Sequence, residues 1–283
     1  MPEHRSGLDV PGDNVWKMSS APIRLAVVGT GYVGLTTGAC FAHVGHHVVC
    51  GDIDERKVAL LNAGHIPIVE EGLEAIVNES RAAGRLEFVL GSAVAAADAD
   101  IVFLCVPTPQ GDDGSADLSY IQQAAAEIAP VLKPGAVVVN KSTVPVGSTL
   151  AVERVLQRED VYVVSNPEFL REGTAVYDFL HPDRVVIGSA NRAAAERVAE
   201  LYATIDTPIL ITDPASAETI KYAANGFLAM KISFVNAVAA MCEAVGADVA
   251  AVVDGIGSDQ RIGGQFLRPV SYTHLTLPTR CHR

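Results

Sequence analysis

The stretch RLAVVGTGYVG, residues 24–34, decides the fold of this chain. It begins with a short apolar run that predicts a buried strand, and helix-forming residues follow it. Between the two lie Gly29, Gly31 and Gly34 with the spacing G-x-G-x-x-G. Glycines at these places permit a tight turn, close approach of the backbone to a pyrophosphate, and close packing of helix on strand. The stretch therefore predicts a strand, turn and helix that bind a dinucleotide.

Asp52 ends the next predicted strand, 18 residues after Gly34. A carboxylate there accepts hydrogen bonds from the adenosine ribose and repels the extra phosphate of NADP, so NAD is favoured as the cofactor. Lys57, in the following helix, is either a contact to the cofactor or an ordinary solvated cation, and the sequence leaves both open. The alternative to the whole interpretation is a glycine turn without a ligand. The order strand, turn, helix, strand and acid argues against that alternative.

From Ile23 onward, short β-rich runs alternate with helical stretches, which predicts an α/β fold: a Rossmann-type, doubly wound parallel sheet. Strands are predicted at 24–28, 47–51, 100–106, 136–140, 161–165, 184–188 and 209–212. Helices are predicted at 33–44, 55–63, 70–83, 119–132, 149–157 and 193–202. We expect the dinucleotide-binding domain to span residues 23–212.

Residues 215–245 run without proline, and Gly246 follows them. A helix of that length is roughly 45 Å long, too long for one layer on a sheet. We therefore expect a long bridging helix, within a region that spans 213–269. Apolar side chains recur along it at helical spacing and form a stripe that needs a partner: Phe227, Met230, Phe234, Val238 and Met241.

The bulk composition limits the classes of function. The net charge of −12 and the pI near 5.0 argue against a nucleic-acid-binding surface, which needs a basic stripe. No stretch reaches the ~18 unbroken apolar residues of a membrane span, so we expect a soluble protein. Residues 1–22 are polar and interrupted by proline and glycine, which predicts a disordered extension rather than a signal peptide.

The chain has five cysteines. Cys40, Cys50, Cys105 and Cys242 lie in apolar runs, where a free cysteine behaves as a small hydrophobic residue. None has the spacing of metal ligands, and we expect no metal site. Unpaired thiols in a chain of this length favour a reducing, cytoplasmic setting.

Four further stretches carry candidate chemistry, and we expect them to lie where strands end, which is where open α/β sheets bind their ligands. Glu168 and Glu172 are candidate general bases or water positioners. Lys221 and Asn225 are four residues apart on one helix face, where they can hold and polarise an alcohol oxygen during hydride loss. Taken singly, each residue is equally consistent with a surface or capping group. The stretches are CVPTPQGDDGSADLSY (105–120), KSTVPVGST (141–149), NPEFLREGTAVYDFLHPDRVVIG (166–188) and TIKYAANGFLAMKISFVN (219–236).

Together these stretches resemble the UDP-glucose/GDP-mannose dehydrogenase family, from about Ile23 to Pro269. Four segments favour the UDP-glucose enzymes of that family: KSTVPVG, NPEFLREG, HPDRVVIG and DGIGSDQRIG. Glu71 in PIVEEGLE is a minor departure, because the family often has proline there.

The resemblance implies oxidation of the C6 alcohol of UDP-glucose to a carboxylate, with two NAD and one water. Thr143 matches a threonine that helps to hold the water, and Glu172 a carboxylate that assists thioester hydrolysis. Glu168 matches the second carboxylate, and Lys221 with Asn225 the pair that stabilises oxyanions. The implied cofactor contacts are Gly29, Gly31, Tyr32, Val33, Gly34, Asp52, Lys57, Pro107, Thr108, Thr143 and Glu172. The implied substrate contacts are Glu168, Phe169, Leu170, Lys221 and Asn225, and the long helix is the implied homodimer contact.

The family's second oxidation uses a cysteine in a glycine-rich loop, which forms a covalent intermediate. Continuing the pattern from Pro269 puts that cysteine near Leu277, and the sequence has no glycine after Gly264. Cys281 lies four places further on, without such a loop. The string SYTHLTLPT resembles a translated sequencing adapter, so we interpret 270–283 as an artefactual tail. We expect a chain that lacks the nucleophile and the family's second α/β domain, and that binds NAD without turning over UDP-glucose.

Two other functions stay open at this point. One is a two-electron oxidoreductase that resembles the β-hydroxyacid dehydrogenases and uses Lys221 and Asn225 without a cysteine. The other is a non-catalytic NAD-binding module. The first predicts oxidation by the chain as it stands, whereas the second predicts cofactor binding alone.

Overall fold

Eight β-strands form one sheet in the part of the chain that this computed structural model describes, residues 21–111 and 114–269. The predicted extension, except for residues 21 and 22, lies outside that part, as does the predicted tail with Cys281. The strands are β1 Arg24–Val28, β2 His47–Asp52, β3 Leu86–Leu90, β4 Ile101–Leu104, β5 Val137–Asn140, β6 Tyr162–Ser165, β7 Val185–Gly188 and β8 Ile209–Thr212.

Helices connect the strands and cover both faces of the sheet. They are α1 Tyr32–His43, α2 Glu55–Asn62, α3 Leu73–Ala82, α4 Ser92–Ala96, α5 Ser119–Ile128, α6 Ser148–Leu156, α7 Ala175–Leu180, α8 Arg192–Glu200, α9 Pro214–Val245 and α10 Val249–Gly257. On one face Val27 of β1 belongs to a core cluster with Phe41 and Phe103. On the other face the next residue, Val28, packs in a cluster with Ile121 of α5.

The strand order is β3-β2-β1-β4-β5-β6-β7-β8. From β1 the chain first adds strands on one side of the sheet and then, from β4, on the other side. The order therefore switches between β1 and β4. A doubly wound sheet binds its ligand at such a switch point, outside the carboxyl ends of the strands. The predicted α/β, Rossmann-type fold is confirmed. The glycine turn after β1 and the segment after β4 lie side by side there, since Cys105 donates its N–H to Val28 O at 2.8 Å.

The structure adds features that the strand pattern did not predict. β3, between Gly84 and Gly91, is an edge strand with alternating burial. The apolar pattern of its five residues was too weak to predict a strand. β6 and β7 pair antiparallel through Ser165 and Gly188, so the last two strands run against the rest of an otherwise parallel sheet. The helix predicted at 70–83 begins only at Leu73, because Gly72 has a φ of 79°.

The long helix α9 begins after Asp213, whose side chain accepts a hydrogen bond from Ser216 N at 2.9 Å, and ends at Gly246 with a φ of 72°. Four residues of the predicted apolar stripe are more than half exposed: Phe227, Met230, Phe234 and Met241. Val238 is different: it is buried, so the stripe is narrower than predicted. By length and composition alone α9 is also long and apolar enough to cross a membrane.

Candidate dinucleotide cleft and adjoining cavity

The glycine turn after β1 needs each of its three glycines for a different reason. Gly29 has a φ of 93°, and a Cβ there would lie 2.7 Å from Cys105 O. A Cβ on Gly34 would lie 1.9 Å from Gly29 O, so α1 can begin this close to the turn only without a side chain. A Cβ on Gly31 would meet nothing within 4 Å, because this position faces an open cleft. The turn thus has the open backbone cradle that a pyrophosphate requires.

Asp52, at the end of β2, is 7% exposed and closes one side of that cleft. Its carboxylate accepts hydrogen bonds from Thr30 N at 2.9 Å, Thr30 Oγ1 at 2.6 Å, Asp54 N at 3.0 Å and Lys57 Nζ at 2.8 Å. Burial alone raises the pKa of Asp52, but the donors from Lys57 and Thr30 outweigh it and lower the pKa to about 2. Asp52 is therefore ionised at neutral pH, and Lys57 is its partner rather than a freely solvated cation.

The cleft has a volume of about 460 Å³. Nine of the predicted cofactor contacts line it: Gly29, Gly31, Tyr32, Val33, Asp52, Lys57, Pro107, Thr108 and Thr143. Gly34 lies buried beneath the turn, and Glu172 does not line the cleft. Other lining side chains were not predicted from the sequence, and most of them come from α5: Ser92, Tyr120, Gln123, Ala124 and Glu127.

A larger cavity of about 1070 Å³ adjoins the cleft. Glu168 lines both spaces, so the cleft and the cavity meet at its carboxylate. Glu168 Oε1 accepts a hydrogen bond from Lys221 Nζ at 3.0 Å, and both side chains are 2% exposed. Its second oxygen accepts from Leu170 N at 2.7 Å. A buried charge needs a partner of this kind, so the pair fixes α9 and the loop after β6 against each other.

The predicted substrate contacts all line the larger cavity: Glu168, Phe169, Leu170, Lys221 and Asn225. Asn225 is 7% exposed, and its Nδ2 has no hydrogen-bond partner among the described residues. Two cations lie near the Phe169 ring, with the Arg184 guanidinium 3.8 Å and Lys221 Nζ 5.2 Å from its centre. A buried amide without a partner, in the wall of a cavity, is ready to bind a polar ligand.

The remaining predicted catalytic residues lie apart from each other. Thr143 lines the cofactor cleft and accepts a hydrogen bond at its backbone oxygen from Thr108 Oγ1 at 2.9 Å. Glu172 is exposed at the rim of the larger cavity, in the loop between β6 and α7. Glu172 therefore lines the same cavity as the predicted substrate contacts, and its contact to the cofactor stays a prediction.

Lys141, the first residue of KSTVPVGST, also lines the larger cavity, although no role was predicted for it. It is 4% exposed and donates to Asn166 Oδ1 at 3.1 Å and Tyr202 Oη at 3.4 Å. Burial lowers the pKa of Lys141 to about 8, although the nearby Cys105 and Glu168 oppose that shift. Its position directly after β5, at the carboxyl edge of the sheet, could have identified Lys141 as a candidate from the sequence.

Three features define a dinucleotide-binding protein of the dehydrogenase class: the doubly wound sheet, the glycine cradle at its switch point, and the ionised carboxylate at the end of the second strand. Residues 23–206 match the NAD binding domain of the UDP-glucose/GDP-mannose dehydrogenase family, and residues 215–272 match its central domain. The chain belongs to the UDP-glucose/GDP-mannose dehydrogenase family. NAD, the predicted cofactor, is thereby confirmed, and the match decides against the β-hydroxyacid dehydrogenase interpretation.

The chain is similar to UDP-glucose 6-dehydrogenase YwqF of Bacillus subtilis, with 49% identity over 251 residues, 87% of this chain and 57% of that protein. Among solved structures, it is similar to a UDP-glucose dehydrogenase from Pyrobaculum islandicum, with 41% identity, a TM-score of 0.85, and coverage of 88% and 60% of the two chains. A GDP-mannose dehydrogenase from Pseudomonas aeruginosa is 35% identical, with a TM-score of 0.81 and coverage of 87% and 60%. The chain thus spans a little over half the length of the curated relatives it matches.

Proposed function

We propose that this chain forms the NAD site and part of the sugar-nucleotide site of a UDP-glucose 6-dehydrogenase, which oxidises UDP-glucose to UDP-glucuronate. The observation that carries the proposal is the position of Glu168. Its carboxylate lines both the cofactor cleft and the larger cavity, and it is paired with Lys221 of the long helix. An alcohol held beside this pair would lie where the two spaces meet, as hydride transfer requires.

The cavity residues have complementary roles in that reaction. Lys221 Nζ and Asn225 Nδ2 are donors that hold the reacting oxygen and stabilise negative charge on it. Glu168, with its pair to Lys221, accepts or relays the proton of the alcohol. Thr143 holds a water on the cofactor side, and Glu172 at the rim assists hydrolysis. NAD, when bound, accepts the hydride; Tyr32, Asp52 and the other residues of the cleft hold and orient it.

The second oxidation, from aldehyde to acid, requires a thiolate, and the described cysteines do not supply one. Cys40, Cys50, Cys105 and Cys242 are all buried. Burial raises the pKa of both Cys40 and Cys105 to about 12, so even Cys105, which lines the cofactor cleft, is a neutral thiol at pH 7. Cys281 lies outside the described residues. We propose that the chain as it stands binds NAD without completing the reaction, as a non-catalytic NAD-binding module would.

We propose that the protein is a cytoplasmic homodimer whose two subunits contact each other through α9. Four free cysteines are consistent with a reducing compartment. The exposed stripe on α9 supplies the apolar surface for the contact. Burial of Glu218, Lys221 and Asn225 along the same helix supports a bridging helix rather than a membrane span, because a lipid-facing helix rarely carries such groups.

A hybrid chain tests the proposal directly. Residues after Pro269 are replaced by the corresponding C-terminal part of the Bacillus subtilis relative, and NADH formation is followed with UDP-glucose. We expect two NADH per sugar from the hybrid and none from the chain as it stands. Replacing Lys221, Asn225 or Glu172 in the hybrid should lower the rate by about a hundredfold or more. A folded, NAD-binding hybrid that does not oxidise UDP-glucose would contradict the proposal, as would two NADH per sugar from the unaltered chain.

A further inference from the structure

Glu70 joins two parts of the chain that are more than a hundred residues apart. It lies in the loop between α2 and α3, and its two carboxylate oxygens accept separate backbone hydrogen bonds. Oε1 accepts from Gly173 N at 2.6 Å, and Oε2 accepts from Ala175 N at 3.0 Å. Hydrogen bonds from backbone N–H groups to a carboxylate are among the stronger ones in proteins.

The segment that Glu70 holds is the loop from Asn166 to Thr174, which carries Glu168 and Glu172. Gly173 has a φ of 92°, a conformation that glycine adopts without strain, and glycine restricts the backbone less than any other residue does. The carboxylate of Glu70 fixes this point directly after Glu172. The position of the Glu172 side chain at the rim of the larger cavity thus depends on a contact from outside its own loop.

Glu70 also adjoins Tyr32, a residue that lines the cofactor cleft. The hydroxyl of Tyr32, the first residue of α1, is buried within reach of the Glu70 carboxylate. Burial raises the pKa of Tyr32 well above its usual range, and the neighbouring charges of Glu70, Glu168 and Glu172 raise it further. The Tyr32 ring lines the cleft. A dinucleotide bound in the cleft would therefore contact a side chain whose neighbouring carboxylates include Glu70.

We propose that Glu70 is a positioning residue that couples occupancy of the cofactor cleft, sensed at Tyr32, to the order of the loop 166–174. This coupling rests on the proposed function, in which the loop carries Glu168 and Glu172 and must be ordered when the cofactor is bound. It requires a carboxylate at position 70. Two N–H donors need two acceptor oxygens, whereas the amide of a glutamine offers one oxygen and an NH₂ group that repels the second donor.

Residue-resolved amide exchange, measured by NMR with and without saturating NAD, tests the coupling. In the wild-type chain, NAD should slow exchange of the Gly173 and Ala175 amides. In Glu70→Ala both amides should exchange about tenfold faster than in the wild type, with NAD no longer slowing them; Glu70→Gln should lose most of the NAD effect. Glu71→Gln is the matched control, because Glu71 is exposed and makes no hydrogen bond or ion pair with the described residues.

Unchanged exchange in Glu70→Ala would overturn the proposal. So would faster exchange that NAD still slows to the wild-type extent, since Glu70 would then be only a structural clamp. A wild-type chain whose loop does not respond to NAD would overturn it as well. If Glu70→Ala does not fold, the glutamine variant carries the test with the same criteria. Since the readout needs NAD alone, failure of the hybrid chain to oxidise UDP-glucose would defeat the proposed function without altering this result.

Discussion

At the residue scale, burial acts on two charged side chains of the site with opposite results. Asp52 has donors on both oxygens, and its pKa falls to about 2 despite burial. Lys141 is as deeply buried, but its two hydrogen-bond acceptors are the neutral groups of Asn166 and Tyr202, and its pKa falls to about 8. A charge is stable inside the protein only where its partners replace the water it has lost. Asp52 meets that condition, and Lys141 meets it only in part.

Lys141→Met should raise the free energy of unfolding at pH 7. The folded chain binds the Lys141 proton less tightly than the unfolded chain, since the pKa falls from 10.5 to about 8. The charge therefore costs stability below pH 8, by about 3 kcal/mol, and the cost disappears as the pH rises from 8 to 10.5. Urea unfolding at pH 7 and pH 10 measures it. We expect the variant to be more stable at pH 7 and the difference to shrink at pH 10. A difference that does not change with pH would contradict this account.

At the scale of elements, Glu218 connects the long helix to the loop that carries Thr143. The side chain is 2% exposed and forms no ion pair within residues 21–111 and 114–269. It accepts hydrogen bonds instead from Gly147 N at 2.6 Å, Thr149 N at 2.9 Å and Thr149 Oγ1 at 2.7 Å, directly before and within α6. One turn further along α9 lies Lys221. The same helix thus holds the cofactor-side loop through Glu218 and the substrate-side loop through Lys221.

Glu218→Gln should destabilise the chain by about 1–3 kcal/mol, because the amide NH₂ would face backbone N–H donors and leave them unpaired. Glu243→Gln is the matched control, an exposed glutamate on the same helix whose replacement should change stability by less than about 0.5 kcal/mol. Chemical unfolding of both variants measures the difference. Equal stability of the two variants would show that Glu218 does not hold α9 to the loop.

The sequence predicted seven of the eight strands and the long helix, because buried parallel strands are continuous apolar runs and a helix without proline is easy to recognise. It did not predict β3, whose five residues form a half-exposed edge, nor the short α4 and α7. In the candidate site, the glycine turn and Asp52 could be predicted, because their spacing in the sequence is local. Lys141 and Glu70 do not, since their importance arises from contacts with residues far away in the chain.

At the scale of the whole molecule, the apolar stripe on α9 should make the chain associate. Phe227, Met230, Phe234 and Met241 are each more than half exposed, which is costly for four large apolar side chains on one helix. Sedimentation at micromolar concentration should show a dimer, and Phe234→Glu should shift it to monomer. Val94→Glu, at an exposed apolar residue away from α9, should leave the dimer intact. A clean monomer in the wild type would contradict the proposed contact.

The central claim is that the cleft at the switch point is a complete NAD site whose selectivity comes from Asp52. Calorimetric titration of the purified chain with NAD and with NADP tests it most directly. Because Asp52 is ionised throughout the neutral range and would face the 2′-phosphate, NAD should bind at least about tenfold more tightly than NADP. Asp52→Asn should narrow that ratio, whereas Glu55→Gln, an exposed neighbour, should not. NADP binding as tight as NAD, or a ratio that Asp52→Asn leaves unchanged, would contradict the account.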